Sequence, residues 1–453
     1  MFKNKIISYT GLVLLHLILG VAIFLYSKLS IPYGLAILSF GVLIILKTHN
    51  DKNQVLYIVA YTVGSEVIMR MTGGFIFYEI AKYSIIVFMI MSIYLSGFSK
   101  NSFFIWLFLI ALIPGLIIAT INLKLNSNII KTISFNLSGP LCLGICSLYC
   151  YQRKVSLPEL ENILLTILLP IITTVTYMYF YTPNIKDVIT GTDSNFTTSG
   201  GFGPNQVATI VGLGVFILFT RIVFHSKEKK IFLLNAFLLI IMTFRGIVTF
   251  SRGGMICAGV MIVLLILVLF RFTKRKGRIK ILWLIGASIL LFSFVWSYSS
   301  SQTSGLIEKR YANEDAAGRI KESQLSGREN IMEGEYEMFL DHPILGIGIG
   351  KARESRLEES GEVVASHNEI TRMLAEHGSF GVLAMLILII TPLALYVNNR
   401  FHIYLLPLFA FWILTINHAA MRLAAPAFVY ALSLLHVYSV EEQKKLNQNS
   451  TEK

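Results

Sequence analysis

The chain has 453 residues, of which 55% are hydrophobic and 14% charged. Soluble domains carry about 25% charged residues, so this composition excludes an ordinary soluble protein and points to a membrane protein. The net charge of +13 comes with no nucleic-acid-binding motif, and the cations sit mainly in alternate short loops, as the positive-inside rule requires.

A helix needs about 20 mainly apolar residues to cross the hydrocarbon core. The sequence predicts fourteen such segments, beginning near Ile6, Leu29, Val55, Gly73, Phe103, Ile133, Asn162, Gln206, Ile231, Met255, Ile281, Phe380, Phe401 and Met421. The first, Ile6 to Tyr26, is too long for a signal-peptide core and has no clear small-residue cleavage site, so it reads as a retained span. Dropping a pair from the second, third and thirteenth segments leaves twelve. The expected fold is an all-α polytopic bundle of 12–14 spans with one large extracytoplasmic helical loop. Residues 1–298 would form a bundle of about eleven spans, 299–378 the loop, 379–440 the last spans and 441–453 a polar, disordered cytoplasmic tail.

Loop charges set the orientation. One alternating set, from Lys3 and Lys5 through the Arg271–Lys280 cluster to Lys453, holds 20 cations. The opposite short loops, with Lys28, Lys124, Lys131, Lys186, Arg252 and Arg422, hold 6. The first set is expected in the cytoplasm, which puts loop 299–378, loop 182–205 and the turn Ser251–Gly254 outside.

In chain order, Glu66 with Arg70 and Glu79 with Lys82 have helical spacing and read as structural pairs within the membrane. Cys142, Cys146 and Cys150 recur every four residues and line one helix face as small packing residues. The turn Ser251-Arg252-Gly253-Gly254 joins two spans, and its glycines would let a ligand approach closely. Arg245, seven residues before Arg252, is expected two turns away on the same helix face. Arginine in a span faces a cavity or a partner. A lipid-facing Arg252 and an Arg245 paired with a buried acid are the alternatives.

The polar loop holds two helix starts. Ser326-Gly327-Arg328-Glu329 reads as a capping box opening a helix to about Leu340, and Ser366-His367-Asn368-Glu369 as a second, with Gly378 as its stop. Arg328 and His367 would then lie in first turns, where the dipole favours anions and disfavours an imidazolium. Two ordinary surface helices would give the same signature. His342-Pro343-Ile344-Leu345-Gly346-Ile347-Gly348-Ile349-Gly350 reads as a tight apolar loop on the membrane surface. His418 and Arg422 lie near the outer face and either extend the cationic surface or meet headgroups. No metal-ligand spacing and no phosphate loop is visible, so no cofactor is expected.

At these residues the chain resembles the O-antigen ligase/polymerase superfamily. The matching pieces are Gly203-Pro204-Asn205, the Ser251–Gly254 turn, Gly327-Arg328, His342-Pro343-Ile344-Leu345-Gly346, His367-Asn368 and Glu376-His377-Gly378. They span roughly residues 203–397. The resemblance implies a bacterial inner-membrane glycosyltransferase of the GT-C type, serving polysaccharide or lipopolysaccharide biosynthesis. It would transfer a glycan from an undecaprenyl-diphosphate donor to a glycan acceptor, with no metal required. It implies that Arg252 and Arg328 bind the diphosphate, with Arg245 a further candidate, and that His367 is the base toward the acceptor hydroxyl. A polymerase is expected, with a lipid A-core ligase or a protein-glycosylating ligase as alternatives. A lipid-linked-glycan flippase is the competing class, but it should lack so large an outer loop.

Overall fold

In the computed structural model, residues 5–124, 128–323, 328–360 and 366–438 are described. The described residues are mostly helical, and ten helices among them are long and apolar enough to cross a membrane. It is a multi-pass membrane protein built as two compact units.

The first unit comprises residues 1–41, 56–78 and 163–324. Its main helices are α1 (Lys5–Leu25), the start of α2 (Ser30–Thr48), α3 (Gln54–Thr72) and six more helices further along the chain. The second unit comprises residues 42–55, 79–162 and 325–453. It contains α4 (Ile80–Ser96), α5 (Phe103–Ala111), α6 (Ile113–Asn122) and α7 (Ile129–Cys150), followed by the strand β1 (Lys154–Ser156). The helices of the first unit resume with α8 (Leu157–Tyr181), α9 (Pro204–His225), α10 (Lys229–Ile247), α11 (Arg252–Phe272), α12 (Arg275–Gln302) and α13 (Leu306–Tyr311). The second unit is completed by α14 (Arg328–Asp341), α15 (Lys351–Ser360), α16 (Glu369–His377), α17 (Ser379–Asn398), α18 (Leu405–Ile416), α19 (Ala425–Ser433) and β2 (His436–Tyr438).

Most expected spans match helices, with three departures. The fourth starts at Ile80 rather than Gly73, because Gly73 adopts a left-handed φ of 67° and a turn precedes the helix. The thirteenth and fourteenth become α18 and α19, of 12 and 9 residues. At 1.5 Å per residue these rise only about 18 and 14 Å, well short of a core about 30 Å thick. The expected N-cap Ser326 with Gly327, the N-terminal Lys3 and the tail after Glu441 lie outside the described residues.

In the first unit, α9 packs against both α10 and α11. A Cβ on Gly254 would lie 2.1 Å from the Ala208 carbonyl oxygen of α9. Gly254 therefore serves helix packing; the expected open approach for a ligand is filled by backbone. The pair Glu66–Arg70 forms at 2.6 Å.

In the second unit, α19 packs on α7, and β1 and β2 pair in parallel. Arg153 bonds the Gly97 carbonyl, Asn50 bonds Ser96, and Asn399 bonds the Leu435 carbonyl. The loops flanked by Lys52, Lys100, Arg153 and Arg400 thus gather at the C-terminal end of α7. At its other end Gly350 approaches Thr132, Asn122 bonds the Ile347 carbonyl, and Ile349 N–H bonds the Gly115 carbonyl. Within this unit, the packing sorts the loops into the two sets that their charges had separated.

The segment Gly346–Gly350 is buried, not laid on a membrane surface. It threads between α6 and α16, with Ile347 and Gly348 N–H bonded to the Ala375 and Glu376 carbonyls. Gly346 and Gly348 have φ of 70° and 94°, and a Cβ on either would lie 2.6 Å from neighbouring backbone. Only glycine meets both demands, which accounts for the alternation.

Candidate active site

The helix carrying the His367 motif begins two residues later than its sequence suggests. Asn368 is the N-cap of α16, its side chain accepting from the N–H groups of Ile370 and Thr371. Ser366 instead bonds the Glu335 carboxylate and the backbone of Asn368. His367 therefore precedes the helix, and the expected placement in its first turn is corrected. Gly378 stops α16 with a φ of 59°, as read.

A second segment meets His367. The turn 417–424 between α18 and α19 has no helical ladder, so its carbonyls need other donors. Arg328 donates to the His418 carbonyl at 3.1 Å, and Lys82 donates to the Met421 carbonyl at 3.2 Å. Lys82 is itself ion-paired with Glu79, whose other contact is Ser138. The Ala420 N–H bonds the His367 carbonyl, so the turn and the His367 loop are tied directly. Gly139, midway along α7, lets that helix touch Met421; a Cβ there would lie 2.6 Å from the Met421 Cβ.

This arrangement puts Arg422 over the imidazole. Its Nη2 lies 3.4 Å from His367 Nε2 and 3.1 Å from the Ser366 carbonyl oxygen. His367 Nδ1 is buried and makes no hydrogen bond of good geometry among the described residues. Burial, then Arg422, then Arg328 push the His367 pKa down to about 3, against a weaker opposing pull from the His418 backbone. The imidazole is neutral, as expected. The causes are burial and two guanidinium groups, in place of the helix dipole. Arg328, Met332, His367, Asn368, Asn417 and His418 line one small cavity of about 50 Å³. Arg328 and His367 are thus brought together. Arg422 and His418 are the partners the sequence reading left as surface groups.

Glu369 and Glu376, the carboxylates nearest His367 in sequence, are committed elsewhere. Both pair with the buried Arg372, and Glu376 also accepts from the Gly350 N–H. Burial pushes Glu376 up to about 7 against the pull of Arg372. Glu335 of α14 is buried beneath the motif and accepts from Arg356, Ser366 and Thr371.

The other expected cations lie in the first unit. Arg245 and Arg252 do not share a helix: α10 ends at Ile247, Phe250 turns with a φ of 58°, and Arg252 opens α11. Arg245 is fully buried and donates to the Thr182 and Tyr179 carbonyls at the end of α8. Among the described residues no acid is ion-paired with Arg245, and both of these bonds go to backbone carbonyls. Arg252 is half-buried and donates to the Arg310 carbonyl at 3.3 Å. Arg310, which the sequence reading missed, donates to the Phe250 carbonyl at 3.0 Å and to Ser194 at 3.3 Å. Burial, then the nearby Arg252, lower its pKa. Ser251 donates to Asn205 at 2.8 Å, which joins two motif segments, Gly203–Asn205 and Ser251–Gly254.

Among the described residues no group of His, Cys, Asp or Glu is placed to hold a metal ion. None of the four cysteines forms a disulfide, and all are buried.

Residues 236–386 match the family model described as O-antigen ligase. The match bears out the resemblance to the O-antigen ligase/polymerase superfamily and indicates an O-antigen ligase-type function in general. It contains Arg245, Arg252, Arg310, Arg328 and His367; His418 and Arg422 lie beyond it. No match to a curated protein was found.

Proposed function

We propose that this protein is an inner-membrane glycosyltransferase that moves a glycan from undecaprenyl diphosphate to a sugar hydroxyl on the extracytoplasmic side. The observation that carries the reading is the neutral His367, held against Arg422 and Arg328 in a chain with an O-antigen ligase domain. An imidazole beside two guanidinium groups combines a proton acceptor with charges suited to phosphate oxygens.

In the proposed step, the acceptor oxygen forms a bond to the anomeric carbon of the donor. The bond from that carbon to the diphosphate breaks, and undecaprenyl diphosphate leaves with the electron pair. The hydroxyl proton passes to His367 Nε2. The 3.4 Å contact from Arg422 to this nitrogen is longer than a strong hydrogen bond, so a hydroxyl can displace it. Arg328 is assigned to the phosphates, where a bidentate guanidinium group stabilises the leaving charge; Arg252, in the first unit, is a separate candidate for donor binding.

The product assigned is a longer lipid-linked polysaccharide, made by a polymerase. Transfer to a terminal acceptor by a ligase is the second reading, favoured by the description of the matching family. Purified protein with a lipid-linked oligosaccharide donor tests both. Longer chains on the lipid identify a polymerase, and transfer to an added core acceptor identifies a ligase. Lipid crossing without bond cleavage would replace the enzyme with a flippase.

A further inference from the structure

His367 lines one recess, and its neighbours Ser366 and Arg422 line a second. The first is the cavity with Arg328 and His418 described above. The second is an open cleft on the Arg422 side, whose lining includes Lys82, Phe135, Asn136, Glu369, Arg372 and Arg422. We propose that this second cleft is the acceptor-sugar subsite, receiving the hydroxyl that His367 deprotonates; this rests on the glycosyltransferase reading above.

Ring orientation is the first argument. A neutral imidazole has one nitrogen with a free lone pair. Nδ1 is enclosed, whereas Nε2 points toward Arg422, a wall of the cleft. A hydroxyl reaches Nε2 from that side. The chemistry of the lining is the second. The charges on the cleft floor are balanced locally, Lys82 by Glu79 and Arg372 by Glu369 and Glu376. Such a floor attracts a diphosphate weakly and tolerates a neutral polar ligand. The rim offers the half-buried Phe135 ring and Asn136 carboxamide beside the Arg422 guanidinium. Asn136 Nδ2 donates to the Thr132 carbonyl, which leaves its Oδ1 to accept from a hydroxyl. Carboxamide and guanidinium groups hydrogen-bond hydroxyls, and an aromatic ring covers the C–H face of a pyranose.

Size is the third argument. The internal space is about 30 Å³, enough for a hydroxyl group but not a whole ring. The sugar ring would lie on the Phe135–Asn136 rim with one hydroxyl directed inward. Loss of the Asn136 hydrogen bond alone should weaken binding up to about tenfold.

The probe is the free oligosaccharide released by mild acid from the lipid-linked pool of the producing cells. It is added as a competitor to transfer by the full chain in detergent. The expected result is inhibition of the wild-type protein, about tenfold weaker inhibition in Asn136→Ala and Phe135→Leu, and loss of transfer itself in Asn136→Trp, which fills the cleft. Donor KM should stay unchanged in Asn136→Ala and Phe135→Leu. Wild-type transfer with the same inhibition in all three variants overturns the subsite. No transfer by the wild-type protein overturns the glycosyltransferase reading itself, so the two failures are distinct. A diazirine-bearing oligosaccharide on the unsubstituted chain gives a check independent of variant folding. Cross-links at residues 132–140 or 420–422 support the subsite, and cross-links confined elsewhere overturn it.

Discussion

Arg422 holds its guanidinium 3.4 Å from Nε2 of His367, although the two residues are 55 positions apart. The contact makes a protonated imidazole costly and marks Nε2 as the nitrogen that faces an incoming group. It also gives the pH dependence a definite sign. With its pKa near 3, His367 stays neutral from pH 8 down to pH 5, so it should contribute no acidic limb there. Removing a neighbouring cation raises that pKa. Arg422→Ala and Arg328→Ala should therefore bring an acidic limb into the measurable range, and the added substitution His367→Gln should abolish it. Transfer rates from pH 4.5 to 8 check this, and unchanged profiles in both arginine variants would separate the cations from the imidazole. The same depressed pKa works against folding in acid. The unfolded chain protonates His367 near pH 6.5 and the folded one only near 3, so its contribution to stability is lost as pH falls through that window.

Loss of a general base costs about 10²–10⁴-fold in rate. His367→Ala should show a loss of that order at saturating donor, with donor binding retained. His367→Gln should be equally impaired. Near-normal turnover in His367→Gln would reduce His367 to a positioning role, and the ion-paired Glu369 and Glu376 would be poor replacements.

Arg310 holds the turn that presents Arg252. Arg310→Met removes the 3.0 Å donor to the Phe250 carbonyl and leaves it the longer bond from Ser194 at 3.4 Å, at a cost of about 1 kcal/mol. Donor KM should rise in Arg310→Met and in Arg252→Ala, with partial recovery in Arg252→Lys, which keeps the charge but loses the planar fork. Arg245→Met should instead lower thermal stability, because the buried Arg245 donates to two backbone carbonyls at the end of α8. Donor titrations and melting curves in detergent distinguish these outcomes.

Gly346→Ala and Gly348→Ala should destabilise the second unit strongly. Each places a Cβ 2.6 Å from backbone at a left-handed φ, and the backbone conformation alone costs about 1–3 kcal/mol. Gly334, with open space around its Cβ position, is the control. Gly334→Ala should leave the melting temperature unchanged or slightly higher.

Single cysteines at the exposed positions Ser304 and Glu337 should react with an impermeant thiol reagent on intact spheroplasts. The four native cysteines are buried and give little background. Labelling only after the cytoplasmic face is opened would invert the assigned orientation.

The sequence by itself determined the solvent of this protein, nearly all its helices and the two motifs carrying Arg328 and His367. Those signals are local: apolar length, cap and stop residues, and the spacing of charges between spans. Tertiary structure alone decided what surrounds His367. Arg422 and His418 read as surface groups because their positions depend on α18 and α19 stopping short, which apolar composition does not reveal. The glycine alternation was legible as a tight loop, but its burial between α6 and α16 required the paths of both helices. Arg245 and Arg252 looked like neighbours by helical spacing until the turn at Phe250 broke the periodicity. Periodicity predicts which residues share a face of one helix. The non-helical carbonyls of the turn 417–424 find their donors on Arg328 and Lys82, residues 90 and 339 positions away in the chain, and only packing brings such groups together.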